Sequence, residues 1–153
     1  MPSARAVITL EPEEQRRLIE DQRVVAVASL GPRGWPHVMP LWYVPREGEI
    51  WIYTYAKSQK VRNLERDPRA TLLIETGREY TELRGVQIEA EAEIHRDHET
   101  VFELAKELTS RYAGVAVDED HAAALEAQAK KRVAVRFRPV RVASWDHRKL
   151  GGA

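Results

Sequence analysis

Hydrophobic positions in this chain recur with two periods, every second residue in some segments and every third or fourth in others. Arg23-Val24-Val25-Ala26-Val27-Ala28-Ser29-Leu30 is a β-rich run stopped by the turn sequence Gly31-Pro32-Arg33-Gly34, so a hairpin is expected. Its return strand, Trp35 to Val44, carries Pro36 and Pro40, which cannot donate to a ladder. Part of it is therefore expected at an edge, at a bulge or against a ligand. Glu49 to Tyr55 alternates cleanly, with Ile50, Ile52 and Thr54 on one face and Trp51, Tyr53 and Tyr55 on the other, so both faces should be at least partly covered. Ala70 to Glu75 is the next strand, followed by a turn near Gly77. Gly85 to Ile94 shows the strictest alternation, with Gln87, Glu89, Glu91 and Glu93 as its wet face. Arg132 to Arg138 and Val140 to Trp145 read as two closing strands separated by Pro139.

The helical period marks four other segments. Pro12 suits a first turn, and Leu18 with Ile19 gives a short amphipathic helix to near Gln22. Ser58 to about Arg66 buries Val61 and Leu64 and stops before Asp67-Pro68. Asp97 caps a helix whose stripe is Val101, Leu104, Ala105, Leu108 and Tyr112, with Gly114 placed to end it. Asp118 opens an Ala-rich helix to about Lys130. Six or seven alternating strands joined mostly by short turns favour a small antiparallel β-barrel with flanking helices. One domain over residues 1–153 is expected, with fraying only at Gly151-Gly152-Ala153.

Charge and composition narrow the function. Lys plus Arg and Asp plus Glu each total 24, so no global field draws the protein to nucleic acid or an anionic membrane. Any anion affinity must be local. The chain has no cysteine, which excludes disulfides, thiolate nucleophiles and cysteine metal sites. The five histidines include no pair with helical metal-ligand spacing, and no metal site is expected. Neither a signal-peptide core nor a membrane-spanning apolar run is present, so a cytoplasmic protein is expected.

The candidate chemistry sits in Tyr53-Thr54-Tyr55-Ala56-Lys57-Ser58-Gln59-Lys60-Val61-Arg62-Asn63, where a strand runs into a short helix. That junction places backbone N–H groups, a hydroxyl and two ammonium groups at a helix N-terminus, which suits a phosphate or another anion. Lys57 and Lys60 as solvated surface charges are the competing reading. Trp35, Trp42, Trp51 and Trp145 read as core or interface residues, with Trp42 singled out by its place after Pro40-Leu41. No Gly-rich strand-to-helix loop suggests a dinucleotide fold.

In order, these parts are the proline-broken hairpin, the strand ending in Thr54, the Lys57-Ser58-Gln59-Lys60 turn, Asn63-Leu64, Asp67-Pro68-Arg69-Ala70 and the alternating strand through Glu93. Together they resemble the pyridoxamine 5'-phosphate oxidase-like split β-barrel family over residues 15 to 145. Within it the chain looks most like proteins that use the deazaflavin coenzyme F420. The resemblance implies a homodimer with cofactor sites in the subunit interface. It implies a cofactor phosphate at Thr54, Lys57, Ser58 and Lys60, with Arg62 and Asn63 as further candidates. The tricyclic ring would lie against Val38-Met39-Pro40-Leu41-Trp42. The implied chemistry is hydride transfer to a small electrophilic substrate, which needs no protein nucleophile and leaves the catalytic residues unassigned. Flavin mononucleotide (FMN) is the alternative cofactor, and haem or biliverdin a further ligand of relatives. The lysine-rich turn favours F420, and a non-enzymatic binding module is the alternative function.

Overall fold

The computed structural model describes residues 1–151, and the fraying expected at Gly152 and Ala153 lies outside them. In chain order the elements begin with α1 (Ala4–Ile8), α2 (Pro12–Asp21), β1 (Val25–Leu30), β2 (Pro36–Leu41), β3 (Val44–Arg46), β4 (Glu49–Tyr55), α3 (Gln59–Arg66) and β5 (Arg69–Thr76). A 3₁₀ turn (Tyr80–Glu82), β6 (Arg84–His95), α4 (His98–Ala113), α5 (Glu119–Ala129), β7 (Arg132–Asp146) and a final 3₁₀ turn (His147–Gly151) complete it. All pairings are antiparallel, in one seven-stranded sheet of order β2-β1-β5-β6-β7-β4-β3. The two edge strands, β2 and β3, are consecutive in the chain and separated only by Trp42 and Tyr43. A sheet whose two edges are joined by two residues must curl until they meet, which gives the split barrel.

The alternation read from the sequence sets what lies inside. Val25 and Val27, Ile50 and Ile52, Leu72 and Ile74, Val86 and Ile88, and Val135 and Phe137 are all buried and form the main core with Leu18 and Ile19 of α2. Helix α2 begins as expected, with Pro12 in its first turn and a reciprocal cap between Glu11 and Glu14. Helices α4 and α5 cover the outside of β3, β4 and β7, where Val101, Leu104 and Ala129 meet Val44 and Ala134, with Trp51 and Tyr53 packed alongside. Both faces of β4 are thus covered. Asp97 and Asp118 cap their helices through backbone N–H groups, and Gly114 (φ 69°) closes α4 in the left-handed conformation.

Two expectations are corrected, and one helix was not expected. The return strand does not run unbroken from Trp35 to Val44; it breaks at Trp42 and Tyr43, where the sheet changes edge. The two closing strands are one strand, β7, with a bulge at Val140, since Glu89 pairs with Arg141 and Ala90 with Pro139. Pro139 is tolerated because β4 reaches only Phe137, so beyond it β7 has a free edge that needs no N–H. Helix α1 carries no buried residue and gave no amphipathic signal.

Tyr43 holds the break. Its fully buried hydroxyl reaches the carbonyls of Ile19 and Gln22 (2.8 Å to the latter), at the end of α2. Tyr112 of α4 accepts from the Tyr43 N–H at 3.0 Å and donates to the Arg23 carbonyl at 2.7 Å. Trp42 stacks on the Tyr112 ring at 4.3 Å and 11°. Gly85 is needed for close approach, because a Cβ there would stand 2.2 Å from the Trp145 ring. No helix among the described residues is long and apolar enough to cross a membrane.

Tyr43→Phe is expected to lower unfolding free energy by about 1–3 kcal/mol, because it leaves the Ile19 carbonyl without its side-chain donor and the Gln22 carbonyl with Arg111 alone. Urea denaturation measures it, and an unchanged midpoint would show that solvent satisfies those carbonyls. Gly85→Ala is expected to cost about 1–3 kcal/mol by overpacking against Trp145 in the same assay.

Candidate functional site

Helix α3 stops one end of the barrel, and the side it turns inward is unusually polar. Its buried residues are Lys60, Val61, Asn63 and Leu64. Val61 and Leu64 join the core, whereas Lys60 and Asn63 each meet an inward-facing hydroxyl. The Lys60 Nζ donates to Thr54 Oγ1 at 2.8 Å, and the Asn63 Nδ2 donates to Ser29 Oγ at 3.0 Å. Gln59 Nε2 in turn donates to Asn63 Oδ1 at 2.8 Å, which fixes the amide's orientation. Thr54 lies inside because it continues the Ile50–Ile52 face, and Ser29 because it continues the Val25–Val27 face.

Lys60 is 8% exposed, and its ammonium has one neutral partner and no carboxylate among the described residues. Burial pushes its pKa below the ordinary lysine value, since removing the charge from water costs more than one hydroxyl returns. Ser58 opens α3 in extended conformation but makes no cap hydrogen bond, and its Oγ is buried without a partner. A buried cation and an orphan hydroxyl two residues apart, beside a helix start, lack an anion with several acceptor oxygens. A phosphate group fits that donor set.

Not every expected residue converges. Thr54, Ser58, Lys60 and Asn63 come together at the barrel end, whereas Lys57 and Arg62 are exposed. Lys57 belongs to another grouping. The Ala56 N–H donates to the Lys131 carbonyl at 3.0 Å, and Arg132 lies 4.2 Å from the Tyr55 ring centroid and 5.1 Å from that of Tyr53. Lys57, Lys130, Lys131 and Arg132 therefore gather where β4 and β7 end, and none has a carboxylate within ion-pair distance among the described residues. Arg136 and Arg138 are engaged instead, with Glu49 and Glu93 for the first and Glu93 for the second.

The strand Val38-Met39-Pro40-Leu41-Trp42 is the free edge of the sheet as far as Leu41. Gly31 N–H donates to the Trp35 carbonyl at 3.0 Å. Alternation then makes Ser29–His37, Val27–Met39 and Val25–Leu41 the hydrogen-bonded pairs of β1 and β2. Pro36, Val38 and Pro40 turn their backbone outward, so Val38 offers the single N–H between two prolines, flanked by carbonyls. That edge resists strand addition and presents one donor among acceptors. Trp42 follows it, 57% exposed and backed by Tyr112.

Sequence reasoning missed Ser29, Gln59 and the Lys130–Lys131 run. Ser29 was findable, as a polar residue at an inward position of an alternating strand. The cation run was not, because only the β4–β7 pairing brings it to Lys57.

The family model described as pyridoxamine 5'-phosphate oxidase matches residues 11–146, and the chain belongs to that family. A crystal structure of the conserved hypothetical protein Rv2991 from Mycobacterium tuberculosis is 39% identical, covering 99% of this chain and 94% of that one, with a TM-score of 0.90. An F420 reductase shares the fold at 23% identity, covering 86% and 98%, with a TM-score of 0.66. HutZ, the heme storage protein from Vibrio cholerae, does so at 17%, covering 88% and 94%, with a TM-score of 0.67. No curated protein matches the chain.

Because the folded apo-protein holds the Lys60 proton less tightly than the unfolded chain, stability should rise as pH climbs from the depressed pKa toward the ordinary 10.5. Lys60→Met should abolish that rise and leave the apo-protein at least as stable at neutral pH, as read by urea denaturation. A clear loss of stability would make the ammonium a structural group.

Proposed function

We propose that the protein is a coenzyme F420-dependent oxidoreductase working as a homodimer, with a cofactor site in each end of the subunit interface. The observation that carries this reading is the buried ammonium of Lys60, held by Thr54 alone beside the orphan hydroxyl of Ser58. Bound there, the coenzyme supplies hydride transfer between its deazaflavin ring and a small electrophilic organic substrate. The chain's task is to hold and orient. Thr54, Ser58 and Lys60 take the phosphate, and Asn63 ties α3 to β1 so that these donors keep their places. The outward edge of Val38-Met39-Pro40-Leu41-Trp42 receives the ring, and exclusion of water by the second subunit strengthens each polar contact.

Two observations refine the reading. FMN also brings a phosphate, as a terminal monoester, but its charge ends there. The unpaired Lys57, Lys130, Lys131 and Arg132 suit a ligand with further negative charge, such as the glutamyl tail of F420. A second copy of the chain is supported by the outer face of β1, β5 and β6, which no helix covers. There an open groove of about 510 Å³ is lined by Ala28, Thr71, Glu89, Ala90 and Val140, among others, and Val140 is 66% exposed. Family membership alone leaves a non-enzymatic carrier of flavin, F420 or haem as the competing reading.

Fluorescence titration of the apo-protein with F420 and FMN in parallel tests the cofactor. Tighter F420 binding is expected, with Lys60→Ala weakening it by about 1–3 kcal/mol and Lys57→Ala by about 1 kcal/mol or less. Preference for FMN would reassign the cofactor, and equal affinity in Lys60→Ala would remove the phosphate site. Acceptor-dependent oxidation of the reduced coenzyme separates enzyme from carrier, and sedimentation velocity reads the dimer.

A further inference from the structure

We propose that the pocket between the β1–β2 turn and α3 binds small planar carboxylates and, resting on the oxidoreductase reading above, is the subsite for the acceptor substrate. The cavity measures about 210 Å³ and is lined by Gly31, Pro32, Arg33, Trp35, Pro36, His37 and Gln59. Its chemistry is one-sided. It holds a guanidinium, an imidazole, an amide and an indole, and no acidic residue. Arg33 has neither an ion-pair nor a hydrogen-bond partner among the described residues, although the chain has as many carboxylates as cations. The Nδ1 of His37 is buried without a partner. Trp35 is 73% exposed and stacks on no other ring among the described residues, which leaves its indole face open to a flat partner.

The turn that presents these groups is held rigidly. Gly31 donates to the Trp35 carbonyl at 3.0 Å and accepts from Gly34 N–H at 3.1 Å, and a Cβ on Gly31 would stand 2.6 Å from that Trp35 oxygen. Only glycine closes the loop this tightly, so Arg33 and Trp35 project from a fixed frame. The pocket also touches both halves of the candidate cofactor site. His37 immediately precedes Val38 on the ring-facing edge, and Gln59 lies between Ser58 and Lys60. A carboxylate taken by Arg33 and His37, with its conjugated body under Trp35, would lie beside the ring edge without competing for Lys60. Anion recognition by a bidentate guanidinium and stacking on an indole are separable contributions, which makes the assignment testable.

Isothermal titration of the full-length apo-protein with trans-cinnamate, and with trans-cinnamamide as a neutral match, reads the site without any coenzyme. Cinnamate is expected to bind about tenfold more tightly than the amide, the scale of one charge-assisted hydrogen bond. Arg33→Ala should remove that preference, and Trp35→Ala should weaken acid and amide alike. Equal affinities in the native protein, a preference surviving in Arg33→Ala, or no heat from either probe up to its solubility limit would overturn the proposal, including the case of a second subunit covering the pocket. Because coenzyme affinity is measured separately, cinnamate binding without F420 binding would sink the oxidoreductase reading and leave the pocket standing.

Discussion

A single buried hydroxyl braces the point at which this sheet closes. Tyr43 sits where the chain leaves one edge of the barrel and joins the other, and its backbone leaves the ladder there. The groups freed by that departure are taken up locally: Tyr112 serves the Tyr43 N–H, and the Tyr43 hydroxyl serves the last carbonyls of α2. Arg111 adds its guanidinium to the Glu20 and Gln22 carbonyls, at 3.0 and 2.7 Å. Two helices far apart in sequence are thereby tied to one chain break. Polar groups buried at such a break are costly unless satisfied, and here the shared donors and acceptors leave the Arg111 Nε without a partner.

The same geometry creates the free edge of β2 on which the proposed ring site rests. Because β2 and β3 are successive pieces of chain, β2 has a partner on one side only. Prolines at 36 and 40 keep that side from recruiting another strand while leaving Val38 able to donate. A closed barrel would have no such edge, and an open sheet would have one too long to protect.

The other end of the barrel shows the opposite economy. Asn63 is fully buried yet satisfied by Ser29 and Gln59, whereas Lys60 and Ser58 are buried and under-satisfied. One half of the α3 polar face therefore works for the fold, and the other half carries a burial cost that its own partners do not return. Such a division is expected where a binding site is pre-formed at the expense of stability.

Much of this was legible in the chain. Period-two alternation located the strands and their inward residues, because burial on one face of a sheet leaves no freedom in register. Capping residues and glycines located the helix ends, because unpaired backbone groups demand local partners. The strand-to-helix turn with its serine and lysines stood out for the same reason, as an excess of donors. What the sequence could not decide was which donors face inward. Lys57 and Lys60 are equivalent on paper, and only the packing of Val61 and Leu64 against the core turns Lys60 inward on α3, while Lys57 stays exposed in the turn before it. Nor could it show that Pro139 lies in one continuous strand, because a proline's meaning depends on whether a neighbour requires its N–H. The gathering of Lys57 with Lys130, Lys131 and Arg132 likewise awaited the β4–β7 pairing. Local propensity and periodicity are properties of neighbours along the chain and were determined by sequence alone. Exposure, edge position and charge clustering are properties of neighbours in space, and only tertiary structure decided them.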